Sequence, residues 1–83
     1  DVTAIVQHVR ERARMVLREV LRTAYAGSGK QRAENVADAL TDYMLAAYDG
    51  ILLVIQADPQ PSPEVLAAQL ARSVVALAAE IVA

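Results

Sequence analysis

The chain has 83 residues, 55% of them hydrophobic, with a net charge of −2 and no cysteine. One small domain is all that length holds, and as a lone monomer it is expected to bury only about 60–65% of its unfolded surface. The composition excludes a disulfide framework and a thiolate metal site, while an apolar share above the usual level of about 45–50% implies that some of it is covered by something else.

The first predicted helix runs over residues 2–26. Val2, Ile5, Val6, Val9, Ala13, Val16, Leu17, Val20 and Ala24 recur at helical spacing over about six turns. Gly27 and Gly29 are expected to end it, and Ser28 with Gln31 to form a capping box for the next helix. The "GSGK" at residues 27–30 invites comparison with a phosphate-binding loop. That loop needs a glycine where Ala24 stands, a hydroxyl where Gln31 stands, and a preceding strand. The motif is therefore rejected.

The second predicted helix spans residues 30–57, through the Asp49-Gly50 pair that elsewhere marks a turn. On a wheel of about 100° per residue, Val36, Leu40, Tyr43, Ala47, Ile51 and Val54 fall together on both sides of Gly50. Asp38, Asp42, Asp49 and Gln56 fall opposite. The helical phase survives the glycine, and a strand would scramble it. "ADPQPSPE" then breaks the chain. Ser62 as N-cap, Pro63 in the first turn and Glu64 behind it start a third helix over residues 63–82. The fold class is all-α, with no strand.

Helices two and three each carry more apolar circumference than a three-helix domain can cover. On the second, Ala39, Ala46, Gly50 and Ala57 line a seam of small residues, flanked by bulky Met44, Tyr48, Ile51 and Ile55. The third has a bulky face of Leu66, Leu70, Val74, Leu77 and Ile81. Its second, shallower face carries Ala67, Ala68, Ala71, Val75, Ala78, Ala79 and Val82. Bulky residues fill a core better, so the small seams are expected to face outward. A two-fold partner then completes a four-helix bundle from the last two helices of each subunit. Its expected interface is Ala39, Ala46, Gly50 and Ala57 against Ala67, Ala71, Val75, Ala78 and Val82. The homodimer is expected to split on replacing Gly50 by Leu.

"ALTDYMLAAYDGILLVIQADP" followed by a Pro-rich turn and "PEVLAAQLARSVVALAAEIVA" resembles the C-terminal part of TetR-family transcriptional regulators. The resemblance covers roughly residues 30–83 well and the first helix loosely. It implies a domain that binds an effector and dimerises, the last two long helices of each subunit forming a four-helix bundle. It further implies a separate N-terminal helix-turn-helix domain for operator DNA, which the 83 residues do not contain. Together with an opening Asp in place of Met, this makes the chain the expected C-terminal part of a longer repressor. A stand-alone helical interaction module without effector is the alternative.

The remaining candidates for chemistry have plainer readings. His8 is alone, without clustered carboxylates, so neither a metal site nor catalysis is expected. Asp38, Asp42 and Asp49 compose the polar stripe of one helix. Residues 1–32 carry seven Lys/Arg and three Asp/Glu, and Arg10, Arg14, Arg18 and Arg22 form an i, i+4 ladder. With a negative net charge and no interleaved aromatic, that ladder reads as a solvated face, or one packed on further N-terminal parts of the protein, rather than a nucleic-acid or membrane stripe. The expected effector is a mostly apolar small molecule held by Val16, Val20, Met44, Tyr48, Ile51 and Ile55, with Tyr48 giving the one hydroxyl. No cofactor and no enzymatic activity are expected. The chain shows no signal peptide, and apolar runs such as Val74 to Ala79 are short for a bilayer. A soluble, cytoplasmic protein without a membrane partner follows as the expectation.

Overall fold

The computed structural model describes residues 1–58 and 60–83, and the described residues form three α-helices with no strand. Helix α1 spans Val2–Ala24, α2 spans Lys30–Ala57 and α3 spans Pro63–Val82. All three follow from local signals. Asp1 caps α1, accepting from the Ala4 amide at 2.8 Å, which satisfies one of the orphan donors of its first turn. Pro63 opens α3 behind Ser62, whose hydroxyl accepts from the Val65 amide at 3.4 Å. The Glu64 carboxyl is held below its ordinary value by its own backbone amide and then by the Ser62 hydroxyl. Gly50 lies inside α2, and the helix passes through it as its phase requires.

The junction between α1 and α2 departs from expectation. Helix α1 stops at Ala24, capped by Tyr25, and a single 3-10 turn follows at Ala26–Ser28. The Ser28–Gln31 capping box does not form. Gly29 is the N-cap of α2, with a φ of 102° and no side-chain cap. A left-handed residue is needed there to swing the chain back, and glycine takes that conformation without a Cβ penalty. Gln31 instead donates to Asn35 within its own helix, at 3.0 Å.

Helix α2 is the centre of the molecule. It packs on α1 along one side and α3 along another, while α1 and α3 scarcely meet. The core joins Leu21 of α1, Val36, Ala37 and Leu40 of α2, and Val74 and Ala78 of α3. Tyr25, Met44, Leu70, Ile81 and Val82 pack against it. Thr41, the buried polar residue, donates its hydroxyl to the Ala37 carbonyl at 2.6 Å. Near the middle, the Tyr43 and Ser73 hydroxyls lie 2.9 Å apart and tie α2 to α3.

The result is a thin slab of 40 × 34 × 14 Å. Its radius of gyration is 14.4 Å, against about 12 Å for a compact domain of this length. The accessible surface is 5892 Å², where a compact monomer of the same mass exposes about 4,800 Å². Val2, Ile5, Met15, Leu53 and Val75 are all more than three-fifths exposed. The surplus of apolar surface inferred from composition is therefore real and lies on the outside.

Strictly apolar runs are short, but α3 taken whole is long and apolar enough to cross a membrane, with 11% of its most apolar stretch buried. At about 30 Å it matches a bilayer's hydrocarbon thickness. Core helices of globular proteins meet the same criterion of length and composition.

Candidate functional site

An apolar cleft of about 590 Å³ opens along α2, within the usual range of small-molecule sites, about 300–1,000 Å³. Met44, Tyr48, Ile51 and Ile55 of α2 form one wall, one helical turn after another. Leu70 and Val74 of α3 face them, and Leu21 and Tyr25 close one end. No charged side chain lines the cleft among the described residues, and Tyr25 and Tyr48 bring its hydroxyls. Such a wall holds a neutral molecule by shape and desolvation, since an unpaired charge placed there loses its hydration without recompense.

Four of the six residues expected to hold an effector thus come together. Val16 and Val20 do not. They are 59% and 54% exposed and border a separate shallow depression with Glu19, Thr23 and Ala24. Their displacement has an electrostatic cause. The arginine ladder, read as a solvated face, turns toward α2 and meets its acidic stripe. Arg10 lies 2.7 Å from Asp49 and Arg14 lies 2.8 Å from Asp42. Arg18 pairs with Asp38 and with Glu34, the latter at 3.2 Å. Arg22 Nε approaches Glu34 Oε1 to 2.6 Å, an ion contact rather than an aligned hydrogen bond, while its terminal nitrogen donates to Oε2 at 3.2 Å. The three steps of four along α1 answer steps of seven, four and four back along α2, one or two helical turns each, so the two helices run antiparallel. With that side of α1 committed, its valine stripe rotates outward. Leu17 and Leu21 lie beside the arginines on the wheel, and that position marked Leu21 as the α1 residue that reaches the core.

The ladder's pairs are part-exposed and screened, so each adds little stability; their effect is register. The exception in burial is Glu34, whose side chain is 27% exposed. Its hydrogen bond with Arg22, then its attraction to Arg22 and Arg18, hold its carboxyl below its ordinary 4.5, against partial burial and the neighbouring Asp38. Arg14 and Arg22 are pushed up, chiefly by their bonds to Asp42 and Glu34. A depressed acid stabilises the fold above its unfolded value and loses that contribution as pH falls through its folded value. The melting temperature should therefore fall below about pH 4.5, the ordinary value of the group. Replacing Glu34 by Gln should flatten that acid limb, and an unchanged limb in circular-dichroism melts would discount the role given to Glu34.

The expected partner face divides. Ala39, Ala46 and Ala57 are exposed and Gly50 is half-buried, and apart from its chain neighbours and the adjoining backbone of its own helix nothing lies within 4 Å of where a Gly50 Cβ would stand. This α2 seam is bare, and lies on the side of α2 away from the cleft by its helical phase. The α3 half lies elsewhere. Ala78 is fully buried in the core and Val82 packs against it, while Ala67, Ala71 and Val75 line the rim of the cleft. One flat interface cannot hold both halves. Ala78 sits a single turn beyond Val74, about 40° around the helix, so small and bulky residues share the inward face.

His8 is exposed on the unpacked end of α1. Asp38, Asp42 and Asp49 are engaged with arginines. Among the described residues no group of three His, Asp or Glu is placed to hold a metal ion. No protein-family model, curated protein or solved structure matches the chain.

Proposed function

We propose that the chain is a non-enzymatic helical domain that binds a neutral, mostly apolar small molecule in the α2–α3 cleft and dimerises through the bare seam of α2. The observation that carries this reading is the double use of one helix. Met44, Tyr48, Ile51 and Ile55 form a cleft wall. Ala39, Ala46, Gly50 and Ala57 stand on the other side of the same helix, with exposed Leu53 and Val54 beside them. A ligand that shifts α2 by a fraction of a turn shifts the partner face with it, which is the coupling a sensor needs.

Such a domain fits the effector-sensing part of a TetR-like repressor in the cytoplasm. The order and lengths of the three helices and the resemblance of residues 30–83 support that assignment. Operator DNA, in this reading, is contacted by a helix-turn-helix domain outside these residues. The exposed face of α3 is covered by protein rather than lipid. A stand-alone interaction module is the rival, favoured by the extent of bare apolar surface, which needs no effector to explain it. The upstream reading frame separates the two: a helix-turn-helix pattern supports the regulator, and a start codon directly before residue 1 supports the module.

The cleft is tested with an uncharged naphthylamine dye whose fluorescence rises in apolar sites. It should bind the intact chain, and Ile51→Glu should weaken binding by more than about tenfold by placing an unpaired carboxylate in the wall. Equal binding to both proteins would remove the cleft from the account.

A further inference from the structure

The outer face of α1 is left unused by the core and the α2 seam; Ala13, half-buried at its edge, borders a small pocket with Met44, Leu45 and Tyr48, and the valines on either side of it are exposed. Val2, Val6, Val9, Ala13, Val16, Val20 and Thr23 follow one another at steps of four, three, four, three, four and three. That is a heptad seam over three repeats, with exposed Ile5 widening it on one flank and Leu17 turned toward the core on the other. Of its valines, Val2 is 76% exposed, Val9 and Val16 are each 59% and Val6 is 49%. A seam of period 3.5 is matched by another helix carrying the same period, because both must supercoil together.

We propose that this seam pairs, antiparallel, with α1 of a second copy of the chain. Charge sets both the partner and the direction. In this register Arg12 and Glu19 occupy equivalent flanking positions one heptad apart. Reversing one helix brings the same flank of both together, with Ala13 opposite the second copy's Val16 and Val9 opposite its Val20. Arg12 then faces Glu19 of the other copy, twice, by the two-fold axis. A parallel pair sets Arg12 against Leu17 and leaves the arginine unanswered. Arg12 has no ion-pair partner within the protomer among the described residues. Glu19 already meets Arg22 at 2.7 Å and adds the second arginine at its exposed side. The surface excess of the slab gives the contact its driving force: self-complementary apolar faces associate until that excess is buried.

This contact is separate from the dimer seam on α2, and the two fail separately. Val16→Glu lies on an exposed position and should leave the helical circular-dichroism spectrum intact. Sedimentation equilibrium should show it losing one association step, its mass falling to about half that of the intact chain. An unchanged mass overturns the α1 pairing, whether the seam is then bare or covered by another protein. If instead the α2 dimer is the one misread, Val16→Glu yields monomer and Gly50→Leu changes nothing. Direction is read with single-cysteine variants, since the chain has no cysteine of its own. Under mild oxidation, a mixture of Ala13→Cys and Val16→Cys should form mixed disulfide dimers, and neither alone should. Disulfides within each variant alone, or none in the mixture, overturn the antiparallel assignment.

Discussion

Replacing Leu21 by Ala is expected to destabilise the chain by about 2–5 kcal/mol, the cost of truncating a buried leucine. Leu21 is 4% exposed and is the buried residue of α1. Everything else that holds α1 is a screened ion pair or a half-buried side chain. The truncation also enlarges the end of the cleft, so little of the lost contact is recovered by collapse. For a domain this small, each kcal/mol moves the melting temperature by roughly 4–8 °C. The loss should be local first. Amide exchange in α1 should accelerate before that in α2 and α3, because those two keep Val36, Leu40, Val74 and Ala78. A change below about 1 kcal/mol, or uniform loss of protection, would show that α1 is held by its ion pairs after all.

Gly50 should respond in opposite directions to two substitutions. Within the protomer, apart from its chain neighbours and the adjoining backbone of α2 itself, nothing lies within 4 Å of a Cβ there, and the backbone is helical. Gly50→Ala should accordingly gain up to about 1 kcal/mol of helix propensity. Gly50→Leu gains much of the same propensity but plants a branched side chain in the middle of the α2 seam. In the proposed dimer it should weaken association far more than Asp49→Ala, whose carboxylate is occupied by Arg10 on the α1 side. Dissociation constants from sedimentation equilibrium, beside thermal melts, separate the two effects. If Gly50→Leu is as stable and as associated as Gly50→Ala, the seam is only a solvent-facing strip.

What was legible in the sequence is what local chemistry decides. Pro63 behind Ser62 and the phase of α2 across Gly50 specify helices that the structure reproduces at Lys30–Ala57 and Pro63–Val82. The α2 wall of the cleft was legible for the same reason: Met44, Tyr48, Ile51 and Ile55 share one flank of one helix, whatever packs on it. Rotations between helices were not legible. Apolarity alone turns the valines of α1 inward, but pairing Arg10, Arg14, Arg18 and Arg22 with Glu34, Asp38, Asp42 and Asp49 turns them outward. The arginines stand at four-residue spacing and the acids at steps of four, four and seven, and only setting the two stripes antiparallel reveals the match. On α3, small and large residues lie within 40° of each other, so residue size could not separate the core face from the outer one. Nor could spacing choose between Ser28 and Gly29 as the cap, since that depends on the direction in which the chain must leave the turn.

In the proposed assembly this slab's bare apolar faces are occupied by further copies of itself, with α2 shared between a ligand cleft and a partner. Sedimentation equilibrium of the intact chain at micromolar concentration tests it most directly. A particle at least twice the 8.9 kDa of the chain is expected, folded, and lighter when the α2 seam is blocked by Gly50→Leu. A helical, cooperatively melting particle that stays at the mass of one chain contradicts it.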